Sequence, residues 1–166
     1  MTHGLRVGWV ALEENTQRSA LGFMGIGMDS PIYLQEERKD TDKEKMQKAY
    51  QDIIANDRLF FYDHWGSLES ENLISKLRFL AVGADVDFIF LDHISIVVSG
   101  GQNGDNERIA IDNLMTALRS LAEETQVGII IISHLRRAQG DKGFENGHEV
   151  TLSHLRGSGG IAQLSD

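Results

Sequence analysis

The sequence predicts an α/β fold with a mainly parallel sheet. Four short apolar runs of strand length recur along the chain, helical patterns separate them, and each run is continuous rather than alternating. Continuous apolar strands are buried on both faces, the signature of a parallel sheet covered by helices on either side. A length of 166 residues suits one domain rather than two.

The elements follow in order. Leu5 to Leu12 is an apolar run closed by Glu13-Glu14 and reads as a buried strand. Thr16 to Met28 reads as a short helix, with Leu21, Met24 and Met28 at helical spacing and three glycines weakening it. Pro31 sits in a connector. Thr41-Asp42-Lys43-Glu44 matches a capping box, followed by Met46, Tyr50, Ile53 and Ile54 on one face. Arg58 to Tyr62 is a second strand ending at Asp63-His64. Ser67 caps a helix striped by Leu73, Ile74, Leu77, Leu80 and Ala81 and stopped at Gly83. Phe88 to Leu91 is a third strand ending at Asp92-His93. A polar, glycine-rich loop spans Ser99 to Asn106. Asp105 or Asn106 then caps a helix with Ile111, Leu114, Met115, Leu118, Leu121 and Ala122 on one face. Val127 to Ile132 is a fourth strand ending at Ser133-His134. After a glycine-rich loop come Val150-Thr151-Leu152 and a last segment, Leu155 to Asp166.

Composition excludes several classes. The 41% hydrophobic content is too high for a disordered chain. No apolar run nears the roughly 20 residues of a membrane-spanning helix, and no signal-peptide pattern opens the chain. With no cysteine, disulfides and thiolate zinc sites are impossible, and a reducing cytoplasm fits. The net charge of −9 disfavours a protein that is basic all over and coats nucleic acid. That charge lies entirely in residues 1–132, because Arg136, Arg137, Lys142 and Arg156 balance Asp141, Glu145, Glu149 and Asp166. A neutral, glycine-rich end on an acidic body suits contact with anions.

Right-handed crossovers place all strand C-termini on one rim, where open sheets of this kind bind ligands. Glu13-Glu14, Asp63-His64, Asp92-His93 and Ser133-His134 meet there. Strands must exit into water, so one polar end means little, but four favour a site. A carboxylate at Asp92, closing a hydrophobic strand, can hold hydrated magnesium beside a nucleotide triphosphate. Many α/β strands also end in aspartate. A carboxylate at Glu13 can orient and deprotonate an attacking water, or be a solvated turn. His134 can donate to a terminal phosphate, or be structural. The glycines of Leu155-Arg156-Gly157-Ser158-Gly159-Gly160 let a loop approach a phosphate closely, or mark a flexible turn. Arg136, Arg137 and Lys142 suit a nucleic-acid backbone or a solvated loop. A phosphate-cradling G-x-x-x-x-G-K-[ST] is absent, since none of the six lysines follows a glycine.

The ordered strand ends carry a resemblance. Leu12-Glu13-Glu14, Leu91-Asp92-His93-Ile94-Ser95, Ser133-His134-Leu135-Arg136, Leu155-Arg156-Gly157-Ser158-Gly159 and Gln163-Leu164-Ser165-Asp166 together resemble the RecA-like motor domain of hexameric replicative DNA helicases, the DnaB-like family. The helicase half of phage primase–helicases is most similar. The resemblance implies a three-layer RecA-like P-loop NTPase fold, incomplete at both ends, with residues 1–166 as a single partial domain. It implies Glu13 as catalytic base, Asp92 as the Walker B metal and nucleotide ligand, His134 as γ-phosphate sensor and Gln163 as a second sensor. It implies Arg136, Arg137, Lys142, Arg156 and Gly157 as contacts to single-stranded DNA. It further implies ATP or dTTP with Mg2+, a homo-hexamer, a primase domain or partner, no membrane, and the cytoplasm of a bacterial or phage-infected cell. The family's Walker A loop should precede Met1 and its arginine finger should follow Asp166, as in a partial gene, so the isolated chain is expected to be inert. Two other readings remain: a non-catalytic pseudo-ATPase module assembling with a helicase, and a different RecA-like ATPase of recombinase or clock type.

Overall fold

The computed structural model describes residues 4–63, 70–98, 104–135, 147, 149–155 and 159–166. Its strands are β1 (Val7–Ala11), β2 (Leu59–Phe61), β3 (Phe88–Asp92) and β4 (Gly128–Ile132). They form one sheet in the order β2-β1-β3-β4, with every pair parallel. The helices are α1 (Thr16–Met28), α2 (Gln35–Lys39), α3 (Lys43–Ala49), α4 (Ser70–Arg78), α5 (Ile94–Val98), α6 (Gly104–Thr125) and α7 (Gly159–Leu164). Helices α3 and α4 each run on into a wider π-helical turn, Tyr50–Ile54 and Phe79–Gly83.

Side-chain alternation gives the sheet two unlike faces. On one, Val10, Ile89 and Leu91 are fully buried beneath Leu73, Leu77 and Leu80 of the α4 segment and Ile111, Leu114, Leu118 and Leu121 of α6. Burying each such side chain stabilises the fold by about 1.5–3 kcal/mol, so packing rather than helix propensity holds α6 in place. On the other face, Trp9 stands in register with Phe61 and Phe90. Phe23 of α1 meets Trp9 edge-on, with ring centroids 5.0 Å apart. A smaller core of Met24, Ile32 and Ala49 ties α1 to α3.

The glycines of α1 weaken its propensity but serve its packing. A Cβ on Gly25 would lie 2.7 Å from the Ser30 carbonyl oxygen, and one on Gly27 would collide with Ile53. Asp29 ends the helix in a left-handed conformation, φ 52°, and its N–H bonds the carbonyls of Gly25 and Ile26.

Four expectations need correction. Asp42, not Thr41, caps α3: its carboxylate accepts from the Glu44 N–H at 2.8 Å, while the Thr41 hydroxyl donates to the Glu37 carbonyl. Helix α6 already begins at Gly104, so Asp105 and Asn106 lie in its first turn rather than at its cap. Gly159 and Gly160 open α7 instead of extending a loop. Among the described residues β4 is not covered on both faces, because Ile130 and Ile132 are 41% and 39% exposed. The expected Ser67 cap and the exit at His64 lie outside the described residues.

Candidate functional site

The central strands deliver their ends to one rim. Ala11 of β1 stands beside Asp92 of β3, and Asp92 stands beside Ile132 of β4. The Leu12 N–H donates to the Asp92 carbonyl at 2.6 Å, which carries the pairing one residue past β1. Glu13 therefore leaves the sheet next to His93, and His134 leaves β4 on the other side. The Asp92–His93 peptide bond is cis.

Three side chains meet at these exits. The Nε2–H of His93 donates to the Glu13 carboxylate across 2.8 Å. The rings of His93 and His134 stack, with centroids 3.8 Å apart and planes 30° apart. His93 is buried at 4% exposure, whereas Glu13 and His134 are exposed. The Nδ1 atom of His93 has no partner among the described residues.

The turn after β1 is held from behind. Glu14 accepts from the Ser19 hydroxyl at 2.6 Å, and the Ser19 oxygen accepts from Trp9 Nε1 at 3.0 Å. Asn15 caps α1 by accepting from the Arg18 N–H at 2.9 Å. Arg18 also pairs with Glu14 at 3.3 Å. Of the two adjacent carboxylates, Glu14 is committed to holding the turn, while Glu13 turns to the rim and bonds His93.

The donor set distinguishes two kinds of metal site. Ligand-type atoms of Glu13, His93 and His134 lie within 4.8 Å of one another. Imidazoles that share one ion aim their in-plane lone pairs at a common point, and rings stacked face to face do not. The Glu13 carboxylate already takes the Nε2–H of His93, so this trio is a hydrogen-bonded array. Asp92 differs. It is half-buried at the strand end, and no side chain among the described residues bonds its carboxylate. A carboxylate so placed fits a hydrated Mg2+ carried by a nucleotide.

The strand register thus brings the ends that carry Glu13, Asp92 and His134 to one rim, where the side chains of Glu13 and His134 meet that of His93 but not that of Asp92. It does not join Gln163 to them. Gln163 is exposed on α7, three residues before Asp166, whose carboxylate accepts two bonds from Arg119 of α6 at 2.7 and 2.8 Å. Those bonds, followed by the one to Glu123, hold the Arg119 guanidinium above its usual pKa. The candidate DNA contacts Arg136, Arg137, Lys142, Arg156 and Gly157 lie outside the described residues. The residues before them, Leu135 and Leu155, pair in an isolated antiparallel bridge beyond β4. Sequence reasoning assigned His93 no role. Its one signal was position, directly after Asp92.

Known proteins are similar to this chain. Residues 6–166 match the family model described as DnaB-like helicase C terminal domain. The chain is 36% identical over 165 residues to the DNA helicase/primase of Enterobacteria phage T3, covering 98% of this chain and 29% of that protein. It is 30% identical over 172 residues to a probable plasmid replicative DNA helicase of Chlamydia trachomatis, covering 100% of this chain and 36% of that protein. The chain therefore spans about a third of the length of these relatives. A solved DnaB-like replicative helicase, studied with its interactions with primase, superposes with a TM-score of 0.74 at 20% identity, covering 97% of this chain and 38% of that one. That likeness shows the fold.

Proposed function

Because the chain belongs to the DnaB-like helicase C-terminal domain family, we propose that it supplies the hydrolytic rim of an NTP-driven replicative DNA helicase. The observation that carries this reading is the convergence of Glu13 and Asp92 from neighbouring parallel strands, with His134 from the next strand beside them. The Glu13 carboxylate orients the attacking water and takes its proton, a contribution typically worth about 10²–10⁴ in rate. Asp92 would hold the hydrated magnesium of ATP or dTTP, and the ion would supply positive charge against the phosphates. His134, exposed on its stack with His93, donates to the terminal phosphate. Gln163 is a second sensor in this reading, although α7 does not bring it to the rim in this structure.

Arg136, Arg137, Lys142, Arg156 and Gly157 contact single-stranded DNA through its backbone. Phosphate contacts bind without regard to sequence, which translocation requires. The working form is a homo-hexamer that couples hydrolysis to unwinding in the cytoplasm of a bacterial or phage-infected cell, with a primase domain or partner. The sequence holds no G-x-x-x-x-G-K-[ST], so these 166 residues do not turn over nucleotide by themselves.

The test is DNA-stimulated ATP hydrolysis, measured on the 166-residue chain and on a protein joining it to a phosphate-binding loop. Turnover is expected only in the second. Turnover by the 166 residues alone would refute their inertness, and none in either protein would favour the pseudo-ATPase module.

A further inference from the structure

His93 is the buried residue between two exposed ones. It donates to Glu13 at 2.8 Å through Nε2, and its ring face lies on His134 at 3.8 Å. The residue is 4% exposed, fixed at the foot of α5, where the Ile96 N–H bonds the His93 carbonyl. Glu13 has no comparable support, since its side chain is 53% exposed on a turn. A solvated carboxylate samples several rotamers, and a base must hold one. The hydrogen bond from a packed ring selects that rotamer.

We propose that His93 is a positioning residue. It holds the Glu13 carboxylate in line for water, with its own ring fixed by burial and by the stack on His134. The proposal rests on the reading of Glu13 as the base. No proton need leave His93 during turnover, since the Nε2–H serves as a fixed donor.

Two substitutions of similar size and polarity test this. In His93→Gln the side-chain amide reaches about as far as Nε2 and retains a donor to Glu13. In His93→Asn the amide stops near Nδ1 and does not reach. In a protein joining this chain to a phosphate-binding loop, Asn should lower kcat by about 10²-fold, the scale of a 1 Å misplacement, with KM for nucleotide unchanged. Gln should recover most of that loss. A merely structural histidine predicts equal losses for both, tracking Tm, and that result would overturn the proposal. Adding His93→Asn to Glu13→Gln should cost little more than Glu13→Gln alone, because the two residues act as a unit.

A readout without turnover uses the 166-residue chain. In imidazole 1H–15N spectra, Glu13→Gln should move the His93 Nε2 signal and, through the stack, the His134 signals. An unmoved His93 signal would overturn the proposal. If Glu13→Gln itself leaves hydrolysis intact, the base assignment fails. If Glu13→Gln abolishes hydrolysis while His93→Asn does not, only the role of His93 fails.

Discussion

Glu13 and His93 stand 80 residues apart in the chain and 2.8 Å apart in the fold. One follows β1 and the other follows β3, and the register of those two strands brings them together. The candidate chemistry therefore depends on strand pairing and on the turns that leave the paired strands.

Glu13→Gln should abolish hydrolysis and spare nucleotide binding in a protein that also carries a phosphate-binding loop. The amide keeps the shape of the side chain but cannot take a proton. Single-turnover hydrolysis and equilibrium binding of a fluorescent nucleotide, measured together, check this. Unchanged turnover refutes the base assignment.

Replacing Arg136 and Arg156 with alanine should weaken single-stranded DNA binding alike for all sequences. Each arginine that no longer meets a phosphate should flatten the slope of log K against log salt by about 0.7. Fluorescence anisotropy across a salt series measures it. An unaltered slope would remove these arginines from the interface.

Ser19→Ala should loosen the turn that presents Glu13. The change deprives both Glu14 and Trp9 Nε1 of their shared partner at a position only 4% exposed. Glu14 keeps Arg18, so the main loss is at Trp9 Nε1, and a part-buried donor left unpaired costs about 1–3 kcal/mol. Urea unfolding should show a lowered midpoint with an unchanged m-value, and tryptophan fluorescence should shift with it.

The packing of α7 on α6 should respond to salt rather than to alkali. Asp166 and Glu123 hold the Arg119 guanidinium above its usual pKa. A raised pKa means that the stabilisation persists below the unfolded value and is lost only as pH climbs beyond the working range. The pair is open to solvent, so ions screen it. Protection factors of α7 amides, which discount the base-catalysed rise of intrinsic exchange, should fall at high salt and stay level from neutral to mildly alkaline pH. The same fall in low salt for Asp166→Asn would assign the effect to this pair.

Much of the architecture was legible in the residues. The stripe of Ile111, Leu114, Met115, Leu118 and Leu121 gave α6 and its buried face, because helical spacing and burial share one cause. The four apolar runs gave the strands and their common rim. Of what was not legible, three cases have a plain physical reason. The cap at Asp42 was missed because two neighbouring residues can each accept, and Thr41 is drawn off to Glu37. The open face of β4 was missed because an apolar run says that a strand prefers burial, not what is there to bury it. His93 was missed because its importance lies in a neighbour far away in the chain. Asp92 and Glu13 declared themselves by residue type and place, whereas a histidine after an aspartate has many uses until its partners are in view.

The all-parallel sheet has a consequence in time. Its pairings join residues 40, 52 and 81 positions apart, as in Phe88 with Gly128, Val7 with Leu59 and Val7 with Phe88. Pairings so distant in sequence must pay loop-closure entropy before they reward it, so such sheets form slowly. The longest closure, β1 with β3, is the one that unites Glu13 with Asp92 and His93. The rim is therefore expected to form late in folding, after the local contacts within the helices.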